Sequence, residues 1–357
     1  MHRIAVINQK GGVGKTTTVA NLGPAIARAG WPVIVVDLDP QANLTTHLGV
    51  EPRPETPNIY HVLSQQKSLA EVLAKVDENL WLAPSNIDLA AAEVELSSVV
   101  GREVILRDAV EECGDDYKFM FIDCPPSLGI LTLNALCAAD EVFITLQPHF
   151  LALQGLGKLL ETVHLVAKRI NHRLKVSGVV LCMYESGTKL ANEVLADLER
   201  FIEQSRGQPV PWAEAVVFQS RIRRNIKLAE APSFGMDIFG YAPQSNGAED
   251  YAALSREVLA HYGYPARPIG QPSGPAASAS SAPESDEAEA VEGLRPEEAE
   301  PLVHAPLPSQ PPNAEPRPAA DRPVENPDEQ PPTEPKTADQ GSPDRLPDGM
   351  GGPDPLA

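Results

Sequence analysis

Ile4-Ala5-Val6-Ile7-Asn8-Gln9-Lys10-Gly11-Gly12-Val13-Gly14-Lys15-Thr16-Thr17 decides the fold. A strand-length apolar run breaks into a glycine-rich turn, and a helix-compatible segment begins at Lys15. Glycines allow a tight turn and a close backbone approach to an anion. The helix that follows adds unpaired N–H groups and the positive end of its dipole. Polyphosphate is the natural guest: Lys15 would reach the β- and γ-phosphates and the Thr16 hydroxyl would ligate Mg2+. The pattern G-x-x-x-x-G-K-[ST] is not kept, because Gln9 stands at its first position and Lys10 at its second. A second lysine in the loop exceeds the need of one site, so Lys10 is expected to serve the phosphates of a partner subunit.

Working outward, apolar strand-length runs alternate with amphipathic stretches. Strands are expected at Arg3 to Asn8, Pro32 to Asp37, Leu80 to Ala83, Phe119 to Asp123, Glu141 to Leu146 and Val176 to Met183. Helical periodicity marks Lys15 to Arg28, Arg102 to Glu112, Leu153 to Ile170, Leu190 to Ile202 and Gly247 to Tyr262. This alternation predicts an α/β fold, a mostly parallel sheet with helices on both faces. The globular domain is placed at residues 1–263. The rest, 264–357, is rich in Pro, Ala, Ser and Glu and is expected to be a disordered acidic tail, since it has too little apolar surface to offset the entropy of ordering.

The net charge of −20 over 357 residues therefore misleads. After Pro265 there are about 18 acidic against 6 basic residues, so the tail carries most of the excess and a basic face on the folded part remains open. Cys113, Cys124, Cys137 and Cys182 are widely spaced, without C-x-x-C or a zinc pattern, as in reduced thiols of a cytoplasmic protein. No apolar run approaches the ~20 residues of a membrane span, so no membrane partner is expected.

Two acidic clusters close predicted parallel strands, at the edge where open α/β sheets bind ligands. They are Asp37-Leu38-Asp39-Pro40-Gln41 and Asp123-Cys124-Pro125-Pro126-Ser127. In a phosphate-loop enzyme one such acid holds the Mg2+ shell through water and another orients the attacking water. Asp123 suits the first role and Asp39 the second.

The set K-G-G-V-G-K-T-T, D-L-D-P-Q and D-C-P-P-S-L-G-I-L-T-L-N-A-L resembles the ParA/MinD family of deviant Walker ATPases, which have a P-loop NTPase-type fold. Arg224-Asn225-Ile226-Lys227-Leu228-Ala229-Glu230-Ala231-Pro232-Ser233 and Gly247-Ala248-Glu249 resemble its chromosomal ParA, or Soj-like, branch. The likeness runs from about Met1 to His261. It implies ATP and Mg2+ as cofactors, with Lys10 crossing to the other protomer's nucleotide in an ATP-sandwich homodimer. Gly11, Gly12, Val13, Gly14, Lys15, Thr16 and Thr17 would form the phosphate loop, and Thr16 and Asp123 the metal side. Asp39 would be the switch acid and Asn225 would lie in the loop that approaches adenine. The implied work is chromosome or plasmid partition: dimers coat double-stranded DNA without sequence preference, nucleoid-associated in the cytoplasm, and a ParB-like partner stimulates hydrolysis.

This sequence departs from the branch in three places. Arg223-Arg224-Asn225 stands where Soj-like chains read Pro-Arg-Asn, Glu185-Ser186-Gly187-Thr188 lacks an arginine of the usual stretch, and Gln204 to Pro209 has no clear counterpart. Candidate duplex contacts are Arg221, Arg223, Arg224 and Lys227, joined by a second basic cluster at Lys168, Arg169, Arg173 and Lys175. Nothing before Met1-His2-Arg3 forms a helix-turn-helix, so sequence-specific recognition is expected of the partner. The alternative is a MinD-like positioning ATPase acting on a division site or protein cluster. That role calls for an amphipathic C-terminal helix, which Pro347-Asp348-Gly349-Met350-Gly351-Gly352 does not supply. A cluster-carrying relative would need surface cysteine ligands.

Overall fold

The computed structural model describes residues 1–114, 116–149, 152–185, 187–265 and 267. The strands are β1 (His2–Ile7), β2 (Val33–Asp37), β3 (Ala74–Asp77), β4 (Leu80–Ala83), β5 (Phe119–Asp123), β6 (Glu141–Leu146), β7 (Lys175–Leu181) and β8 (Val216–Val217). The helices are α1 (Lys15–Arg28), α2 (Asn43–His47), α3 (Ile59–Leu63), α4 (Leu69–Val72), α5 (Leu89–Glu95), α6 (Ile105–Glu111) and α7 (Ile130–Ala138). They continue with α8 (Ala152–Arg169), α9 (Lys189–Gln204), α10 (Ile226–Glu230), α11 (Ile238–Tyr241) and α12 (Asn246–His261). The sheet order is β3-β4-β2-β5-β1-β6-β7-β8, parallel except for β3 against β4.

Side chains alternate across the sheet because the strand period is two. Ile4 and Val6 of β1, with Val33, Val35, Phe119, Phe121 and Phe143, face one core, covered by α1, α2, α10, α11 and α12. Ala5 and Ile7, with Ile34, Val36, Met120, Ile122 and Ile144, face the other, covered by α3 to α9. All five residues of β2 and β5 are buried, as double coverage requires. The expected α/β class therefore holds.

Gly23 sets how closely α1 lies on the sheet, since a Cβ there would fall 2.7 Å from Val35 Cγ1. Asn21, also buried in α1, donates to the Thr17 carbonyl and accepts from the Ile238 N–H at 2.7 Å, tying α11 to α1. The last described stretch packs at the N-terminal edge of the sheet. There the Tyr264 ring meets Trp31 at 4.7 Å and Phe119 at 5.2 Å, and the Arg267 guanidinium lies 4.6 Å over Trp31. The disordered tail was expected from residue 264; Tyr264 and Arg267 of it are packed here, and residues 266 and 268–357 lie outside the described residues.

Candidate functional site

β1 and β6 are neighbours, while the chain leaves β1 through α1 to reach β2 beyond β5. The crevice formed where connections diverge this way is where such sheets take ligands. The loop from Asn8 to Gly14 spans it. Asn8 braces the entrance, donating from Nδ2 to the Thr145 carbonyl at 2.6 Å and accepting the Lys10 N–H at 3.0 Å. Gly12 (φ 71°) and Gly14 (φ 89°) are left-handed, a conformation other residues adopt only with strain. At Gly14 a Cβ would also stand 3.1 Å from Cys182 Sγ, whereas at Gly11 and Gly12 it would meet nothing within 4 Å. The concave side of the loop is thus open backbone. Gly14 also starts α1 without a side-chain cap, which leaves the first-turn N–H groups for a guest.

Lys15 folds back over this cradle, its Nζ donating to the Lys10 carbonyl at 3.2 Å. Burial pushes its pKa down, and the nearby Asp123 and Asp39 oppose the shift. Asp123 ends β5 fully buried, and neither carboxylate oxygen has a hydrogen-bond partner. Burial, with Asp37 beside it, holds the group well above the ordinary carboxylate range; the Thr16 hydroxyl, close without closing a hydrogen bond, and Lys15 pull the other way. A buried carboxylate without a partner is costly unless something completes it. The unpartnered carboxylate fits a hard divalent cation, which Asp123 and the Thr16 hydroxyl would hold. When bound, Mg2+ supplies charge neutralisation at the β- and γ-phosphates.

The Asp39 loop is held by Asp37, which the sequence reading named without a role, and by Thr45 and Ser85, which it did not name. Asp37 is the register partner of Asp123 and is fully buried. Its carboxylate accepts the Thr45 N–H at 2.8 Å, the Thr45 hydroxyl at 2.7 Å and the Asp39 N–H at 3.2 Å. Burial raises its pKa to about 6 against these bonds. The Thr45 hydroxyl in turn accepts the Ser85 N–H at 2.9 Å, and the Ser85 hydroxyl donates to the Asp39 carbonyl at 2.8 Å. Asp39 itself stays half-buried, accepting the Gln41 N–H at 2.9 Å. The D-x-D spacing was the available signal: the residue two before Asp39 points to the same side of the chain, where it can hold the loop.

Lys10 lies at the mouth of the cradle, its Nζ 3.4 Å from His149 Nε2 and its Cε beside Gly155 of α8. His149 follows β6 and was not singled out from sequence. Asn225 sits past the strand-like run that follows β8, where Ile222 pairs with Leu181 and Tyr184, at the same sheet edge as the cradle. Its Oδ1 caps α10 by accepting the Lys227 N–H at 2.8 Å.

The expected duplex contacts fall in two places. Lys168 and Arg169 end α8 and Lys175 begins β7, so that cluster lies at the N-terminal edge of the sheet, opposite Arg221 to Lys227 at the C-terminal edge. They lie at opposite edges because α8 runs back across the sheet against the strand direction. Arg173 and Lys175 there pair with Asp140 at 3.4 Å and Glu141 at 3.7 Å. At the other edge Arg223 holds Asp250 and Glu249, Arg224 holds Glu185 at 3.1 Å, and Lys227 holds Glu230 at 2.8 Å. Arg221 donates to the Tyr184 hydroxyl at 2.9 Å and stacks over its ring.

Cys124 and Cys137 are 1% and 2% exposed, which keeps them off any surface that could present cluster ligands. Among the described residues no helix is long and apolar enough to cross a membrane.

A glycine cradle on a helix N-terminus, a buried lysine, a threonine hydroxyl and an unpartnered buried carboxylate define a phosphate-loop ATPase that takes ATP with Mg2+. Residues 1–176 match the AAA domain family. The chain is 42% identical over 259 residues to the sporulation initiation inhibitor protein Soj of Bacillus subtilis, covering 72% of this chain and 98% of that protein. It is 44% identical over 260 residues to the chromosome-partitioning ATPase Soj of Thermus thermophilus, covering 73% and 96%. Among solved structures, cobyrinic acid a,c-diamide synthase from Mycobacterium smegmatis with bound ATP analogue and magnesium superposes with a TM-score of 0.61 at 36% identity, over 76% of this chain and 100% of that one. The chain belongs to the ParA/Soj family of partition ATPases.

Proposed function

We propose that this ATPase works as a nucleotide-gated clamp for partition of a chromosome or plasmid. The reading is carried by the Asp123 carboxylate, buried without a partner beside Lys15 and Thr16, with Lys10 at the rim of the same cradle. With ATP and Mg2+ held by residues 11–17, two copies meet face to face and each Lys10 swings from His149 to the other copy's phosphates. Asp39 orients the attacking water and Asn225 lies on the adenine side. The paired copy doubles the basic edge that carries Arg221, Arg224 and Lys227, so DNA is bound only in the nucleotide-closed form. The protein then rides on the nucleoid in the cytoplasm. A ParB-like partner stimulates hydrolysis and releases it, and turnover without that partner is slow.

Anisotropy of a labelled duplex of arbitrary sequence, titrated with the full chain, tests this. Binding is expected with MgATP and not with MgADP, with affinity falling steeply as salt rises. Equal binding in both nucleotide states would overturn it.

A further inference from the structure

Arg223 was counted among the duplex contacts, and its environment says otherwise. Its backbone N–H donates to Asp250 Oδ2 at 2.9 Å, its Nε to both Asp250 oxygens at 3.0 and 3.1 Å, and its Nη2 to Asp250 Oδ1 at 2.6 Å. The same Nη2 reaches Glu249 at 2.8 Å. Asp250 is only 7% exposed. One arginine therefore spends its main-chain donor and most of its guanidinium on two acids of α12, and its charge is more than offset on the spot. A proline at this position would have no N–H to give and could not make this contact.

The anchor point matters because of what lies next to it. Tyr251, the residue after Asp250, is fully buried, and its hydroxyl lies 3.3 Å from the Thr18 hydroxyl on α1, the helix that begins at the phosphate cradle. Thr18 is also 3.6 Å from Cys182 Sγ, the atom that closes against Gly14. A short chain of contacts thus runs from Arg223 through Asp250 and Tyr251 to Thr18 and the loop at Gly14. Two residues beyond Arg223, Asn225 accepts the Lys227 N–H at Oδ1, which fixes its amide and leaves Nδ2 as a donor for a base.

We infer that Arg223 is a positioning residue for nucleotide binding, clamped on Asp250 and Glu249 so that the loop bearing Asn225 is held at a fixed place relative to the phosphate cradle. The inference rests on the reading of Asn225 as the adenine-side residue. A loop held in its binding position before the ligand arrives need not be ordered by it, and the adenosine part of ATP then binds more tightly.

Equilibrium dissociation constants of the full chain for MgATP and for magnesium tripolyphosphate separate the possibilities. Arg223→Ala is expected to weaken ATP ~10-fold while leaving tripolyphosphate within ~2-fold, which also reports an intact cradle. Arg223→Lys, which keeps the charge and loses the fork, should fall between, and Asp250→Asn should weaken ATP in the same direction. Equal weakening of both ligands in Arg223→Ala, or no weakening of either, overturns the inference. So does a duplex affinity that rises in Asp250→Asn and falls in Arg223→Ala with ATP affinity unchanged, the signature of a DNA contact. Asn225→Ala distinguishes the two levels: ATP weakened there and not in Arg223→Ala removes the clamp alone. ATP unchanged in Asn225→Ala removes the adenine reading of Asn225.

Discussion

At the scale of single residues, the two buried acids of the site differ in their partners. Asp37 has three hydrogen bonds and serves the loop, whereas Asp123 has none, as the proposed cation ligand requires. Asp39, half-buried and accepting only the Gln41 N–H among the described residues, is the acid proposed to orient the attacking water. Asp39→Ala should therefore cut the rate of hydrolysis by ~100-fold or more while ATP affinity stays within ~3-fold, a loss confined to the transition state. Single-turnover hydrolysis alongside equilibrium nucleotide binding measures both.

His47 at the end of α2 gives a second residue-scale expectation. Burial pushes its pKa down to about 4, with Asp237 opposing, and its Nε2 has no partner. The unfolded chain takes up that proton near pH 6.5, before the folded one does. The stabilisation is complete above that value and is lost as the pH falls through about 4, a difference of about 3 kcal/mol. Denaturant unfolding of the full chain at pH 7 and pH 4.5 should show this decline, and His47→Leu should flatten it.

Among elements, α1 carries the most. It holds the cradle at its start, lies on β2 through Gly23, and is tied to α11 by Asn21 and to α12 by Thr18. Gly23→Ala forces a methyl into Val35 and should cost about 1–3 kcal/mol in denaturant unfolding, despite the better helix propensity of alanine. Most of this layer was legible in the sequence. Six strands and five helices were expected within a residue or a few of where they lie, because double coverage makes a strand read as an unbroken apolar run. The misses were short or edge elements. β3 pairs on one side only and reads Ala-Lys-Val-Asp, and β8 has two residues, so neither carries a strand-like pattern. α7, nearly uniformly apolar over Ile130 to Ala138, shows no amphipathic stripe because it is buried almost all round.

For the whole molecule, the sheet arranges the chemistry by direction. Four parallel strand ends contribute to one edge: the cradle after β1, Asp37 ending β2, Asp123 ending β5 and His149 after β6. Spacing along the sequence was enough to single out the glycine loop and both acids that the structure brings to one edge, since those motifs are local. It could not reveal that Lys168 to Lys175 and Arg221 to Lys227 stand on opposite edges, which only the direction of α8 and β7 decides. Nor could it reveal that Arg223 spends its charge on α12, a contact across 27 residues of sequence.

Lys10 is proposed to turn an ATP site into a switch between one copy and two. In the single chain it rests near His149, on the rim that a second copy would cover. Sedimentation velocity of the full chain with MgATP under slow-hydrolysis conditions reads this directly. The wild type should move as a dimer with MgATP and as a monomer with MgADP, and Lys10→Ala should stay monomeric while binding ATP within ~3-fold of wild type. A Lys10→Ala protein that dimerises with ATP as the wild type does would contradict the account.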